Sequence, residues 1–188
     1  MTRWEPNARG RLEQAALELF GERGFEQTTV EDIATRAGLT KRTFFRHFSD
    51  KREVLFGGGE EFQELFVHGL AAAPASAAPI DAIAVSLEAV SAAFQDRREL
   101  ARRRQLVIAA NPELQERELV KLASVAAALA ETLRERGVEE PAASMTAEAA
   151  IAVFRIAFER WVAAADQRDL PELIRESLEA LRTVAASR

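Results

Sequence analysis

The sequence has no cysteine and only two histidines, His47 and His68. This excludes disulfides, thiolate zinc sites, cysteine nucleophiles and any multi-histidine metal cluster, and leaves no metal or cofactor to expect. No stretch approaches the roughly 18 apolar residues that a membrane-spanning helix requires. The polar segment Met1 to Gly10 also lacks the apolar core of a signal peptide. The expected location is therefore the cytoplasm, with no membrane partner. Nothing alternates with period two for long enough to make a strand. Low complexity is confined to Ala71 to Pro79, where two prolines in an alanine run read as a connector between helices. What is present suits one folded domain or a domain with a small appendage. The chain has 188 residues, 48% hydrophobic and 29% charged, enough to bury a core but too few for a large multidomain enzyme.

The net charge of −5 is unevenly spread. Residues 1–56 hold ten Lys/Arg against nine Asp/Glu, whereas 57–188 hold fifteen against twenty-one. Within Thr40 to Arg52 five basic residues (Lys41, Arg42, Arg46, Lys51, Arg52) face one acid, Asp50. An acidic chain thus carries one local positive patch.

Apolar spacing predicts an all-α fold of about nine helices. Leu12, Ala15, Ala16, Leu19 and Phe20 form the stripe of a first amphipathic helix, closed by Gly24. Thr29 caps a second, with Asp32 at capping-box spacing, and Gly38 stops it. Thr40 caps a third, Lys41 to Phe48, and Ser49-Asp50 a fourth. Downstream, Asn111-Pro112-Glu113 reads as a helix start and Gly137 as its end. The last two helices are expected near Ala147 to Ala165 and Leu170 to Ala185.

Two short helices joined by a glycine turn are the helix-turn-helix arrangement, whose second member lies in the major groove; the alternative is two core helices at a corner. Ile33, Ala34, Leu39, Phe44 and Phe48 supply an apolar face. Lys41, Arg42, Thr43, Phe45 and Arg46 occupy or border the other, the basic and hydroxyl chemistry that phosphate and base-edge contacts use.

The runs Thr28-Thr29-Val30-Glu31-Asp32-Ile33-Ala34, Ala37-Gly38-Leu39-Thr40-Lys41-Arg42-Thr43-Phe44-Phe45-Arg46-His47-Phe48 and Asp50-Lys51-Arg52-Glu53-Val54-Leu55 resemble the DNA-binding domain of the TetR family of bacterial ligand-responsive regulators. The resemblance covers about residues 9–56. It implies a homodimer with a DNA-binding domain over 1–56 and an effector-binding and dimerisation domain over 57–188. It also implies repression of a near-palindromic double-stranded operator, relieved by a small amphipathic effector. Carried over by position, Thr29 would sit near a phosphate, and Thr40, Lys41, Arg42 and Thr43, with Arg46, would meet bases or phosphates. Lys51 would place its charge at a phosphate, and His47 looks like the family histidine that donates to the backbone, or else it packs between helices. Phe45 departs from a pattern that usually has tyrosine; without a hydroxyl it can only cover sugar or a thymine methyl.

Gly57, Gly58 and Gly59 interrupt what should be one continuous fourth helix, each costing up to ~1 kcal/mol against alanine. They read as a soft joint or as a close-packing site. For the effector, Phe62, Phe66, Leu87, Phe94, Leu106, Phe154, Phe158 and Trp161 lie on helical stripes that suit either a plain core or a pocket. Arg102, Arg103 and Arg104 span about 200° of a helix, so one of them must lean inward or to its edge; Arg102 and Arg103 are candidates for an anionic ligand group, or they face solvent. The stretch from Arg97 to Arg117 is similar to TetR-type regulators of acyl-CoA-like ligands, including the mycofactocin-associated one, which implies an acyl-CoA-like effector. Ala149, Ala150, Val153, Phe154, Ala157, Phe158, Trp161 and Val162, with Leu173, Ile174, Leu178 and Leu181, form broad apolar faces expected at a dimer interface. A small helical enzyme or acyl-ligand-binding protein is the alternative for the larger domain. His68 has only Glu64 near it in sequence, so no catalytic residues are assigned. A protein-binding adaptor would leave the Thr40 to Arg52 patch without a role.

Overall fold

The computed structural model describes residues 7–94, 97–163 and 168–186. Among them are ten helical segments and no strand: α1 (Ala8–Arg23), α2 (Val30–Arg36), α3 (Lys41–His47), α4 (Glu53–Phe56), α5 (Gly59–Ala71), α6 (Pro79–Ala93), α7 (Arg98–Ala109), α8 (Pro112–Glu135), α9 (Ala142–Ala163) and α10 (Leu170–Ala186). The expected fourth helix is two segments, α4 and α5, divided at Gly57 and Gly58. A Cβ on Gly57 would lie 2.5 Å from Cε1 of the buried Phe48 ring, so close packing is one reason for glycine there. Ala165, where the sequence reading ends α9, lies outside the described residues.

By contacts the chain forms two compact units. The first takes the chain up to Gly58 together with Arg103–Glu118, a segment that the boundary at residue 56 leaves in the larger domain. Its core gathers Leu12, Ala16, Leu19 and Phe20 of α1 with Ile33, Phe44, Phe48 and Val54–Phe56. Val107, Ile108 and Leu114, from the α7–α8 corner, complete it. Asn111 stands at the start of α8, as the sequence reads, and its backbone carbonyl accepts from the Leu114 and Gln115 amides at 3.0 and 3.1 Å. Its side-chain amide donates to the Val107 carbonyl at 2.6 Å and braces that corner.

The second unit packs α5 on α6, and α9 and α10 on each other and on α6. The α5–α6 crossing is tight: a Cβ on Gly69 would come within 2.8 Å of Ser86 Cα, and Ser86 Oγ donates to the Phe66 carbonyl at 2.7 Å. The residues expected at a dimer interface fall elsewhere. Ala150, Val153, Phe154, Ala157, Phe158, Trp161, Leu173, Ile174 and Leu178 are buried in this chain's own core. Their apolar period serves packing within the chain, because α9 and α10 cover each other and α6. On the outward side of α9, Met145 (68% exposed) and Ile156 (47%) are apolar.

Candidate nucleic-acid interface

The helix-turn-helix is built by three local devices. The first is the capping box that starts α2. Thr29 Oγ1 accepts from the Asp32 amide at 3.1 Å and donates to the Asp32 carboxylate at 2.6 Å, which also accepts from the Thr29 amide at 2.9 Å. Both donors of Thr29 are thereby spent inside the box. Asp32 is exposed to water, yet the Thr29 hydroxyl, then the Thr29 amide, hold its carboxyl below the usual range. The second device is the turn, where Gly38 takes φ +67°, a conformation natural to glycine. The third is the cap of α3, where Thr40 Oγ1 accepts from the Thr43 amide at 3.2 Å and lies 3.1 Å from the Thr43 hydroxyl.

On α3, Phe44 points into the core, while Lys41, Arg42, Phe45, Arg46 and His47 are exposed and Thr43 is half-buried. The cations of this unit divide sharply. Between residues 7 and 58, Arg9 pairs with Glu13, Arg11 donates to the Ala37 carbonyl, and Arg23 lies 3.8 Å from Asp32. Arg36 pairs with Glu22 and Glu18, and Arg52 with Asp50. Lys51 donates to the Phe25 carbonyl at 2.7 Å, with its ammonium 4.1 Å from the centre of the Phe25 ring. Among the described residues of that segment, the cations with no such partner are Lys41, Arg42 and Arg46, all on α3. An unneutralised cationic helix on an acidic protein is a phosphate-seeking surface. Lys51, by contrast, braces the loop after α1, and Asp50 already occupies the start of α4, accepting from the Arg52 and Glu53 amides at 2.7 and 3.1 Å.

The expected effector residues are divided between the units. Phe62, Phe66, Phe94, Phe154, Phe158 and Trp161 form one chain of ring contacts, with centroids 5.1 to 6.2 Å apart, in the second unit. Leu87 is buried in the same core. Phe62 and Phe94 are only partly buried, so they form its accessible edge. Arg102 belongs to that unit and is exposed. Arg103 and Leu106 (64% exposed) belong to the first unit, where they line an open cleft of about 810 Å³ with Phe20, Gly24 and Phe25.

Sequence reasoning missed the contacts that anchor α4. Arg104 Nε donates to the Leu55 carbonyl at 2.7 Å, its Nη1 to Glu118 at 3.1 Å, and its guanidinium lies 5.0 Å from the Phe56 ring centre. Arg117 Nε donates to Glu53 at 2.5 Å. Burial pushes the Arg104 guanidinium below its ordinary value, against the pull of Glu118. The arginine triplet signalled an inward-leaning member, but its partners lie 49 and 14 residues away. In the second unit Arg98 Nε donates to the Trp161 carbonyl at 3.0 Å.

Comparison with known proteins also gives two regions, the second of which runs through Arg103–Glu118. The family model of bacterial regulatory proteins of the tetR family matches residues 13–56, and that of the MftR C-terminal domain matches 77–186. The transcriptional regulator TcmR of Streptomyces glaucescens is 40% identical over 88 residues, 47% of this chain and 39% of TcmR. The transcriptional repressor KstR2 of Mycobacterium tuberculosis is 43% identical over 47 residues, 25% of this chain and 24% of KstR2. The chain thus matches under half the length of these relatives. Among solved structures, FadR of Thermus thermophilus, a repressor in complex with lauroyl-CoA, aligns over 96% of both chains at 26% identity and TM-score 0.57. FadR of Bacillus subtilis, in complex with stearoyl-CoA, aligns over 92% of this chain and 96% of its own at 22% identity and TM-score 0.65, a likeness of fold. A C-terminal match over more than half of the chain, joined to the N-terminal one, places this protein in the TetR family of bacterial regulatory proteins, with a C-terminal domain of the MftR type.

Proposed function

We propose that this protein is a ligand-responsive transcriptional regulator, a homodimeric repressor that leaves a near-palindromic operator when an acyl-CoA-like effector binds. The observation that carries the reading is the concentration of unneutralised cations on α3, with the Thr40 cap and the Gly38 turn presenting that helix. Lys41 and Arg42 enter the major groove from its N-terminal turn, and Arg46 follows one turn later. Thr40 and Thr43 supply hydroxyls beside them, and His47 closes the helix toward the sugar-phosphate wall. The dimer forms through the outward faces of α9 and α10, so that the two α3 helices reach half-sites about one helical turn (~34 Å) or a multiple apart. The acyl chain enters the aromatic core of the second unit at the edge made by Phe62 and Phe94. FadR of Thermus thermophilus, with its lauroyl-CoA, supports the effector class. No described helix is long and apolar enough to cross a membrane; the reading places the protein in the cytoplasm with its operator and assigns it no catalytic step.

Selection of bound duplexes from a random library tests the reading. Wild-type protein should recover a near-palindromic motif that Lys41→Ala/Arg42→Ala loses. Motif-free binding by both proteins would refute it.

A further inference from the structure

Among the described residues Phe45 is the one phenylalanine or tryptophan that stands exposed, at 50% of its surface. It sits on the fifth residue of a seven-residue helix whose other exposed positions are all polar. It is not a loose side chain. The fully buried Phe44 meets it edge-on, with centroids 5.5 Å apart and planes at 82°, which fixes the direction of the ring. Spacing places it one turn after Lys41 (i+4) and Arg42 (i+3), on the same side of α3. A helix that enters the groove by Lys41 and Arg42 therefore carries the ring in with them.

A phenyl ring has no donor or acceptor, so it gains only by covering hydrocarbon. Base edges in the major groove present acceptors and amine donors, with a single apolar group among them, the C5-methyl of thymine. We propose that Phe45 makes this protein a reader of the pyrimidine 5-methyl group. It selects thymine over cytosine at one position of each half-site, and it accepts 5-methylcytosine in thymine's place. The proposal rests on the DNA-binding reading above and adds a base preference to it.

The test uses the operator recovered by selection and the full-length protein. Each thymine is replaced in turn, symmetrically in both half-sites, by deoxyuridine, which lacks only the methyl. Wild-type affinity should fall at one position by about fourfold for each methyl removed, about fifteenfold for the symmetric pair. Cytosine at that position should bind more weakly still, and 5-methylcytosine should recover at least the methyl's share. Phe45→Ala, which removes an exposed ring and leaves Phe44 in place, should bind the thymine and deoxyuridine operators equally. If a motif is recovered but no thymine shows a methyl effect, or Phe45→Ala keeps that effect, the ring lies elsewhere and the proposal is overturned while the DNA-binding reading stands. Failure to recover any motif would overturn both.

Discussion

Arg104 donates to the carbonyl of Leu55 at 2.7 Å, across 49 residues of sequence, and spreads its guanidinium over the neighbouring Phe56 ring. One side chain of α7 thereby holds the four-residue α4, a helix too short to persist alone. Replacing Arg104 by alanine removes the guanidinium from the Leu55 carbonyl and leaves the Glu118 carboxylate only the Gln105 amide, 3.3 Å away. Both side chains of the ion pair are about three-quarters covered, so the pair is only partly shielded from water. We expect a loss of about 2 kcal/mol, reduced from the fully buried case by that remaining exposure. Denaturant melts of wild type and Arg104→Ala check it, and equal midpoints would contradict the role given to Arg104.

Acid should loosen the start of α2. The Thr29 hydroxyl and amide hold the Asp32 carboxyl below its ordinary value, so folding gains from the ionised form. That gain is present above the unfolded pKa of about 3.9 and is lost as pH falls through the lower folded value. The protection of the Thr29 and Asp32 amides against exchange, taken relative to the intrinsic rate at each pH, should therefore fall below about pH 4. In Asp32→Asn that protection should be low already at neutral pH and change little on acidification.

Much of this architecture was legible in the sequence. Gly24 at φ +85°, the Thr29–Asp32 box, Gly38 at φ +67° and the Thr40 cap are all local signals, each written within four residues of the contact it makes. What was not legible depends on long-range packing. Ala157 and Leu178 show the same apolar period whether a helix faces its own chain or a second copy, and the structure turns them inward. The α7–α8 corner joins the first unit through Ile108 and Leu114, and no composition shift near residue 103 announces it. At α3, sequence counts five cations between Thr40 and Arg52; the geometry withdraws Lys51 and Arg52 by giving them internal partners.

Gly69→Ala should be costly. Its Cβ would meet Ser86 Cα at 2.8 Å and the Ala89 Cβ at 3.1 Å, and the nearest of these atoms is backbone that cannot swing aside. Separating α5 from α6 should lower stability by about 1–3 kcal/mol. Thermal melts compare it with Gly21→Ala, where a Cβ meets nothing within 4 Å and the midpoint should hold or rise.

The acyl-effector reading has an optical test, because Trp161 is buried against Phe94 and Phe158. In a Trp4→Phe background Trp161 is the sole indole. Titration with lauroyl-CoA should shift its emission saturably, and Phe94→Ala should alter the midpoint. Emission unchanged through the range in which lauroyl-CoA releases DNA would place the ligand outside this core.

The central claim is that Lys41, Arg42 and Arg46, the cations that α3 leaves unpaired, are the ones that meet DNA. The most direct measurement is the salt dependence of binding to the selected operator, for wild type, for each of these three changed to alanine, and for Arg36→Ala as the ion-paired control. Each lost phosphate contact should flatten the slope of log affinity against log salt by about 0.9, doubled where both subunits contribute. The account predicts a flattened slope, or a loss of operator preference where the contact is to a base, for each α3 variant, and a wild-type slope for Arg36→Ala. Equal slopes and equal preference across all four variants would contradict it.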